Sequence, residues 1–477
     1  MSGKGRYTSP EGSKFWEYWA AFVCKILFNY AFSSSMQGFC VGCILGWTSP
    51  TLVILLKPDS PIPINHGDAS TIASSSTIGH LIAALISKQM IERVGRKNSM
   101  FLGGLPLIIC WSLTCFAHNV SLLIVARLLA GVALGVVFGV TPLYLGEIAS
   151  VEIRGIIGST MGVMINLGIL FAFIVIPYLS IAMAAVVFLV ISLGVEIAIY
   201  FIPESPYFLV AKSQESEAEM VLEKLRGKLD VSEELMLIKS LINETGAEQK
   251  DVGLIESLNL LFRVKSNLRS FAIINLLVIS LYLGGLVSIV VYGNIIFQAA
   301  GNSISDHIAI ILIAITQVIA SIISSFIIDH TGRKPLIFGA GAALGICNFV
   351  IGGYFFLIEY TGRDEVMQYS FVPLIAAIVL VFASNIGVTN VQSILTGEIL
   401  ASNVKGIASG LSNIFSSLVA LVTIKMYQVL AANLGHSIPF LGFSVIVTSV
   451  TIILMIITPE TKGRTFSEIQ QLLVKRK

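Results

Sequence analysis

Charge is the scarcest property of this chain. Only 12% of its 477 residues are Asp, Glu, Lys or Arg, while 55% are hydrophobic. A soluble domain carries about a quarter charged residues. This composition therefore excludes a surface wetted on all sides and requires contact with lipid. A net charge of +2, with no basic run interleaved with aromatics, argues against a nucleic-acid partner. Cysteine is too sparse for a disulfide framework: Cys24, Cys40, Cys43, Cys110, Cys115 and Cys347 all fall in apolar stretches. Cys40 and Cys43 have redox-pair spacing but lack the soluble βαβ setting of such pairs. Metal-ligand clusters, intramembrane acid pairs and nucleophile constellations are missing too, so no enzyme chemistry, metal or cofactor is expected.

What the chain does have is long apolar runs. A bilayer core takes about 20 apolar residues as a helix. Twelve candidates centre on residues 20–48, 70–90, 100–118, 121–144, 156–177, 181–202, 269–299, 306–328, 335–358, 370–395, 407–430 and 438–458. The first is too long for a signal peptide and reads as a retained span. The runs are continuous rather than alternating, so helices and not a β-barrel are expected. The positive-inside rule orients them. With both termini cytoplasmic, all 30 Lys and Arg except Lys57, Arg363, Arg127 and Lys425 fall on the inner side. The predicted organisation is a cytoplasmic tail (1–18), six spans (19–202), a charged helical linker (203–268), six more spans (269–458) and a second cytoplasmic tail (459–477). In the linker Leu235, Ile238 and Leu241 form an apolar face, with Asp230 and Glu233 near its cap.

The halves repeat each other. "ERVGRK" at 92–97 returns as "DHTGRK" at 329–334, "GEIASVEIRG" at 146–155 as "GEILASNVKG" at 397–406, and "PESP" at 203–206 as "PETK" at 459–462. Three echoes in one order imply a duplication. The fold class is an all-α membrane protein with twelve transmembrane helices in two pseudo-symmetric six-helix bundles, a transporter architecture. Each echo pairs acids with bases at a cytoplasmic helix end. Glu92, Arg93, Arg96, Glu147, Arg154, Asp329, Arg333, Glu398 and Lys405 are the candidate gate charges. Glu147 would face Arg154, and Glu398 would face Lys405. They either hold topology or form a charge latch between the halves that breaks when the inner side opens.

These motifs, with "RLLAGVALG" (Arg127, Gly131, Gly135), "PESPYFLVAK" at 203–212 and "PETKGRTFSEI" at 459–469, resemble the sugar porter family of the major facilitator superfamily. "LGWTSP" at 45–50 and "GEILASNVKG" are most similar to its insect trehalose and hexose carriers. The resemblance spans nearly the whole chain. It departs at Lys88 (usually Gly), Glu92 (usually Asp) and His330 (usually Arg). It implies the major facilitator fold, a plasma-membrane carrier and a small sugar as partner. No obligate protein partner is implied beyond the lipid bilayer.

The family's proton-coupling device is an acid in the first span close to the span-four arginine. Residues 18–58 hold no Asp or Glu, and no carboxylate is expected near the centre of any span. Facilitated diffusion without proton coupling is therefore predicted. His80 in span two is either a packed histidine or a relay. Gly131 and Gly135 share a face with Arg127 and allow close helix approach. Asn119, Val120 and Ser121 form a glycosylation sequon in a loop that looks too short to use it.

Resemblance places sugar contacts in spans five, seven, eight, ten and eleven. The amides usual in span seven are replaced by Leu281, Tyr282 and Val287, and a polar position in span five by Gly162. The span-ten hinge becomes "GVTNVQS" at 387–393. The substrate-binding candidates that remain are Gln317, Tyr282, Tyr292, Asn294, Asn166, Thr389, Asn390, Gln392 and Ser416. Asn385, Thr389, Gln392 and Thr396 have the spacing of one helical face. That face either lines a cavity or bonds neighbouring helices. Tyr292, Asn294 and Gln298 lie outward of the span-seven glycines, where an outer gate would close. The expected function is uniport of a small neutral sugar, trehalose or a hexose. The alternatives are a same-fold carrier of a less polar substrate and a non-transporting sugar sensor.

Overall fold

The computed structural model describes residues 10–150, 154–250, 254–301, 304–361, 363–462, 464 and 466–475. The first half holds α1 (Pro10–Leu55), α2 (His66–Val94), α3 (Arg96–Cys115), α4 (Val120–Ile148), α5 (Arg154–Val175) and α6 (Ile181–Tyr200). Four shorter helices follow: α7 (Pro206–Ala211), α8 (Glu215–Arg226), α9 (Ser232–Lys250) and α10 (Leu254–Arg263). The second half begins with α11 (Lys265–Tyr282) and α12 (Leu286–Ala300), two parts of one broken span. It continues with α13 (Asp306–His330), α14 (Arg333–Tyr360) and the short α15 (Arg363–Met367). Then come α16 (Phe371–Ala383), a π-helical turn at Ser384–Thr389, and α17 (Asn390–Ile399), together making the tenth span. The last helices are α18 (Ser402–Leu434), α19 (Ser437–Ile457) and α20 (Phe466–Lys475). No strand occurs among the described residues, and twelve helices are long and apolar enough to cross a membrane.

The predicted spans are recovered with shifted edges. The first span continues to Leu55 rather than ending at 48, because the helix carries on through Pro50. The seventh span starts at Lys265, four residues inside the expected linker. Side chains on the lipid-facing sides are large and apolar, such as Val190, Ile197, Phe326 and Ile346, each more than 60% exposed. That is the exposure a bilayer requires and water forbids.

Within the first half the helices meet backbone to backbone. A Cβ on Gly42 of α1 would strike the Ile165 carbonyl of α5, and one on Gly168 of α5 would strike the Phe39 carbonyl. Gly79 of α2 and Gly131 of α4 interlock in the same way against the Leu128 and Ser76 carbonyls. Small residues thus replace the hydrophobic drive that lipid removes. In the linker Leu235 and Ile238 pack with Leu209, Ala218, Leu222 and Val231. Leu241, expected on the same face, is 42% exposed, and its neighbour Ile242 packs on that cluster instead. The Asp230 carboxylate accepts the Ser232 amide at 3.2 Å, a bond that lowers its pKa.

Candidate functional site

At the basic end of the bundle, each half builds the same charge cluster from its three echoed motifs. In the first half the Arg96 guanidinium donates through Nε to Glu147 Oε2 (3.0 Å) and through Nη2 to Oε1 (2.8 Å). The Ser205 hydroxyl donates to Glu147 as well. Glu204 Oε1 accepts the backbone amides of Arg96 (2.9 Å), Lys97 (3.1 Å) and Ser205 (2.8 Å). In the second half Arg333 Nη2 donates to Glu398 Oε1 (2.9 Å) and the Thr461 hydroxyl to Glu398 Oε2 (2.6 Å). Glu460 accepts the amides of Arg333, Lys334, Thr461 and Lys462 at 3.0–3.1 Å. Each cluster has the same logic. A carboxylate from the end of the bundle caps the helix after a glycine, where free amides and the helix dipole favour negative charge. The arginine of that first turn then clamps the acid of the next motif in a charge-assisted pair.

Glu204 and Glu460 were not among the expected gate charges. The signal was present, since both are the acid of the echoed PES and PET triplets and both face a glycine-led helix start. Burial raises the Glu460 pKa, but four amide donors outweigh it and hold the carboxyl below the ordinary glutamate value.

Several expected pairs are replaced. Glu147 bonds Arg96 and Ser205; the Arg154 side chain lies outside the described residues, as does that of Asp329. Glu398 bonds Arg333 and Thr461, while Lys405 reaches back to the end of α17, donating to the Gly397 carbonyl at 3.1 Å. Short i,i+7 reach from Glu398 loses to the longer, planar Arg333, which can meet a carboxylate edge-on. Glu92 pairs only with Lys88 at 3.8 Å, both well exposed, and Arg93 is exposed beside it. Among the described residues, every basic-end ion pair lies within one half.

Most polar contacts that join the halves lie at the opposite, far end, with one more at mid-depth between Asn166 and Gln317. Ser49 of α1 donates to Asn294 Oδ1 of α12 and accepts the Asn294 amide, both at 3.0 Å. Asn294 Nδ2 reaches Asp306 Oδ2 (3.3 Å) and His307 Nδ1 (3.2 Å) of α13. Lys425 of α18 donates to Thr71 of α2 at 3.1 Å, and Gln428 meets His66 at 3.4 Å. Tyr292 is fully buried, stacks on Tyr427 at 5.2 Å and donates to the Ile424 carbonyl. Tyr292 and Asn294 thus sit where a gate would close. Gln298, grouped with them in the sequence reading, is exposed.

At mid-depth the remaining candidates fall into three groups. Asn166 of α5 donates to the Gln317 backbone carbonyl of α13 at 3.4 Å. Gln317 is 3% exposed, and its Oε1 has no partner. Gly162, one turn before Asn166, has open space over its Cα. Tyr282, the last residue of α11, bonds the Ser416 hydroxyl of α18. The span-ten group is rearranged. The π turn inserts an extra residue, so Asn385 is rotated relative to Thr389, Gln392 and Thr396, which keep the spacing of one helical face. Asn385 folds back on the Val381 carbonyl. Asn390 donates to Ser324 of α13 at 2.6 Å, which makes it a bond between helices. Thr389 bonds its own π turn at the Ser384 carbonyl, and Gln392 is half-buried with a free amide end among the described contacts.

The break in span seven is also pinned. Gly285 has φ +88°, a conformation that favours glycine. Asn348 of α14 donates to the Gly284 carbonyl at 2.9 Å and to the Leu344 carbonyl at 2.8 Å.

Glu196 is a buried carboxylate that the sequence reading did not single out, although it lies toward the end of its span rather than at the centre. It sits on α6, 4% exposed, with Oε1 accepting Gln37 Nε2 of α1 at 3.1 Å and its carboxyl packed on Gly104 of α3. It lies four residues from the end of α6, and the packing of α1 and α3 over it makes it interior. Arg127 has no carboxylate partner. It donates to the Ile44 carbonyl (3.1 Å) and Thr48 (3.0 Å), with its guanidinium 5.0 Å from the Trp47 ring centre. His80 stacks on Phe138 and lies against Gly135, so it is packed. Cys40 and Cys43 are buried free thiols, and Asn119 caps α4 through the Leu122 amide. No group of residues among those described can hold a metal ion.

Comparison with known proteins agrees with this architecture. A family profile described as "Sugar (and other) transporter" matches residues 21–473. The chain is 28% identical over 448 residues to the facilitated trehalose transporter Tret1 of Anopheles gambiae, covering 94% of this chain and 56% of that protein. It is 29% identical over 443 residues to Tret1 of Apis mellifera ligustica, covering 92% of this chain and 87% of that one. The chain therefore spans only about half the length of some of these relatives. Among solved structures, the inward open conformation of the xylose transporter XylE from E. coli superposes with a TM-score of 0.75 at 19% identity, covering 94% of this chain and 99% of that one. XylE is also described as a proton:xylose symporter of the major facilitator superfamily. This multi-pass membrane chain, a transporter by family and not an enzyme, belongs to the sugar (and other) transporter family.

Proposed function

We propose that this chain is a facilitative carrier of a small neutral sugar, trehalose or a hexose, working by alternating access in the plasma membrane with both termini in the cytoplasm. The observation that carries the reading is the placement of contacts between the halves. They close the far end through Ser49, Asn294, Thr71 and Lys425, while the ion pairs of the basic end stay inside each half. A carrier caught with its inner side parted would look like this. The named relatives that transport trehalose support the substrate class. Arg127, held by a carbonyl, a hydroxyl and a ring, supports a facilitative mode, because no acid on α1 faces it. Glu196 is the observation that favours the second reading, a proton-linked carrier.

Uptake of labelled trehalose and glucose into proteoliposomes, with and without an inward proton gradient, tests both. Equal uptake under the two conditions supports uniport. Stimulation by the gradient that Glu196→Gln abolishes would favour the second reading. Entry of no sugar under either condition would sink the carrier. Within the site, Gln317→Ala should weaken half-saturation several-fold, since Gln317 Oε1 is a buried acceptor without a protein partner.

A further inference from the structure

Two basic residues lie inside the spans, Arg127 on α4 and Lys425 on α18, and the structure treats them differently. Arg127 is 3% exposed and enclosed by the Ile44 carbonyl, Thr48 and the Trp47 ring. Lys425 is half-buried and lies nine residues from the end of its helix, about 13 Å along the axis at 1.5 Å per residue. Its ammonium reaches across the seam between the halves to Thr71 Oγ1 at 3.1 Å. The Thr71 proton is spent on the Gly67 carbonyl, so that hydroxyl serves Lys425 only as an acceptor. Among the described residues no carboxylate stands within 4.0 Å of Lys425. One of the three ammonium donors is used.

A cation at this depth is costly without a partner, and such residues mark substrate paths. The neighbouring wall is polar. Ser70, next to Thr71, is 4% exposed with an unpartnered hydroxyl, and Gln428 and His66 meet one turn along. This wall lies on the seam that parts when a carrier opens to the far side. Solute entering there meets an ammonium with two free donors beside hydroxyl groups.

We infer that Lys425 receives a carboxylate of the carried solute, so that sugar acids are substrates in preference to their neutral counterparts. This rests on the carrier reading above and moves its preferred substrate from a neutral sugar to the corresponding acid. A single ammonium matches one negative charge; a dianionic phosphate ester would bring a second charge with no partner in the wall. An ionic contact also offsets the binding amides that span seven lacks at Leu281, Tyr282 and Val287.

The test compares glucuronate with glucuronamide, its neutral counterpart of nearly the same shape, as competitors of labelled glucose uptake in proteoliposomes, and follows labelled glucuronate directly. Glucuronate should half-inhibit at a concentration at least tenfold below glucuronamide, and should itself enter. Lys425→Gln should bring the two competitors level, and Lys425→Arg should keep them apart. Should the variants not fold, the wild-type comparison decides alone, because only the ligand's charge differs. Equal competition by the two ligands overturns the inference and leaves the neutral-sugar carrier standing. Entry of glucuronate with no neutral sugar supports the inference and overturns the neutral-sugar reading. Entry and competition by none of them overturns both.

Discussion

Gly285→Ala tests the hinge of the seventh span. Two separate costs follow from the structure. The residue holds φ +88°, and an L-residue in the left-handed region loses about 1–2 kcal/mol. The added Cβ would also stand 2.5 Å from Asn348 Oδ1 and 3.3 Å from Leu380 Cδ1, closer than packed atoms tolerate. Overpacking of that kind costs about 1–3 kcal/mol. The single variant should therefore lose about 2–5 kcal/mol against denaturant in mixed micelles. The second cost has a named cause, so it can be removed separately. In an Asn348→Ala background the Oδ1 atom is gone, and Gly285→Ala should cost less by roughly the overpacking part. The backbone cost should stay. Uptake should fall in the single variant because α12, which carries Tyr292 and Asn294, hangs on this turn. A Gly285→Ala protein as stable as wild type would refute the reading of the turn. The same loss in both backgrounds would refute the role given to Asn348.

The other expectations concern the two ends. Glu147→Gln should slow uptake and destabilise the fold more than Glu398→Gln, because the Glu147 side chain is 10% exposed and the Glu398 side chain 27%; parallel transport and melting assays rank them. Glu460→Gln should flatten the acid limb of stability. The lowered pKa of Glu460 means its contribution is present above the ordinary glutamate range and is lost as pH falls through the folded value, so melting followed from neutral pH down to strong acid separates wild type from variant. Asn294→Ala removes the bond that the Ser49 hydroxyl donates to the side chain, about 1 kcal/mol, leaves the backbone amide bond to Ser49 in place, and should raise the far-open population by roughly fivefold. Labelling of a cysteine introduced at Thr51, which is buried on α1, should speed up accordingly; unchanged labelling would remove Asn294 from the gate.

The fold was legible because lipid writes it in long runs. Twelve apolar stretches and three ordered echoes were enough to place the spans and the duplication. The site was less legible, for reasons visible at particular residues. Glu147 and Glu398 were recognised, but their partners were sought nearby in sequence, whereas Arg96 and Arg333 come from a different helix end. Glu204 and Glu460 act through backbone amides, so the echo that carries these acids marks them without marking their partners. The polar stripe of span ten assumed an unbroken α-helix, and a π turn has no strong propensity signature. Asn390 therefore turned to Ser324 rather than to the site. Tyr292 and Asn294 were correctly placed outward of the glycines, because distance along a helix survives a change of rotation when facing does not.

The glycine contacts of the first half bear on how the protein can move. Where Gly42 meets Ile165 and Gly168 meets Phe39, main chain lies on main chain with no side chain between. Such a seam has no rotamers to exchange and no compressible filling, so it cannot slide by a fraction of a turn. α1 with α5, and α2 with α4, must travel as welded pairs. The give in the mechanism then belongs to seams filled with side chains, α2 against α18 and α5 against α13, where Lys425 and Gln317 lie. A substitution that fills a glycine seam would cost stability without altering the stroke, while one in the filled seams would alter the stroke at little cost to the fold.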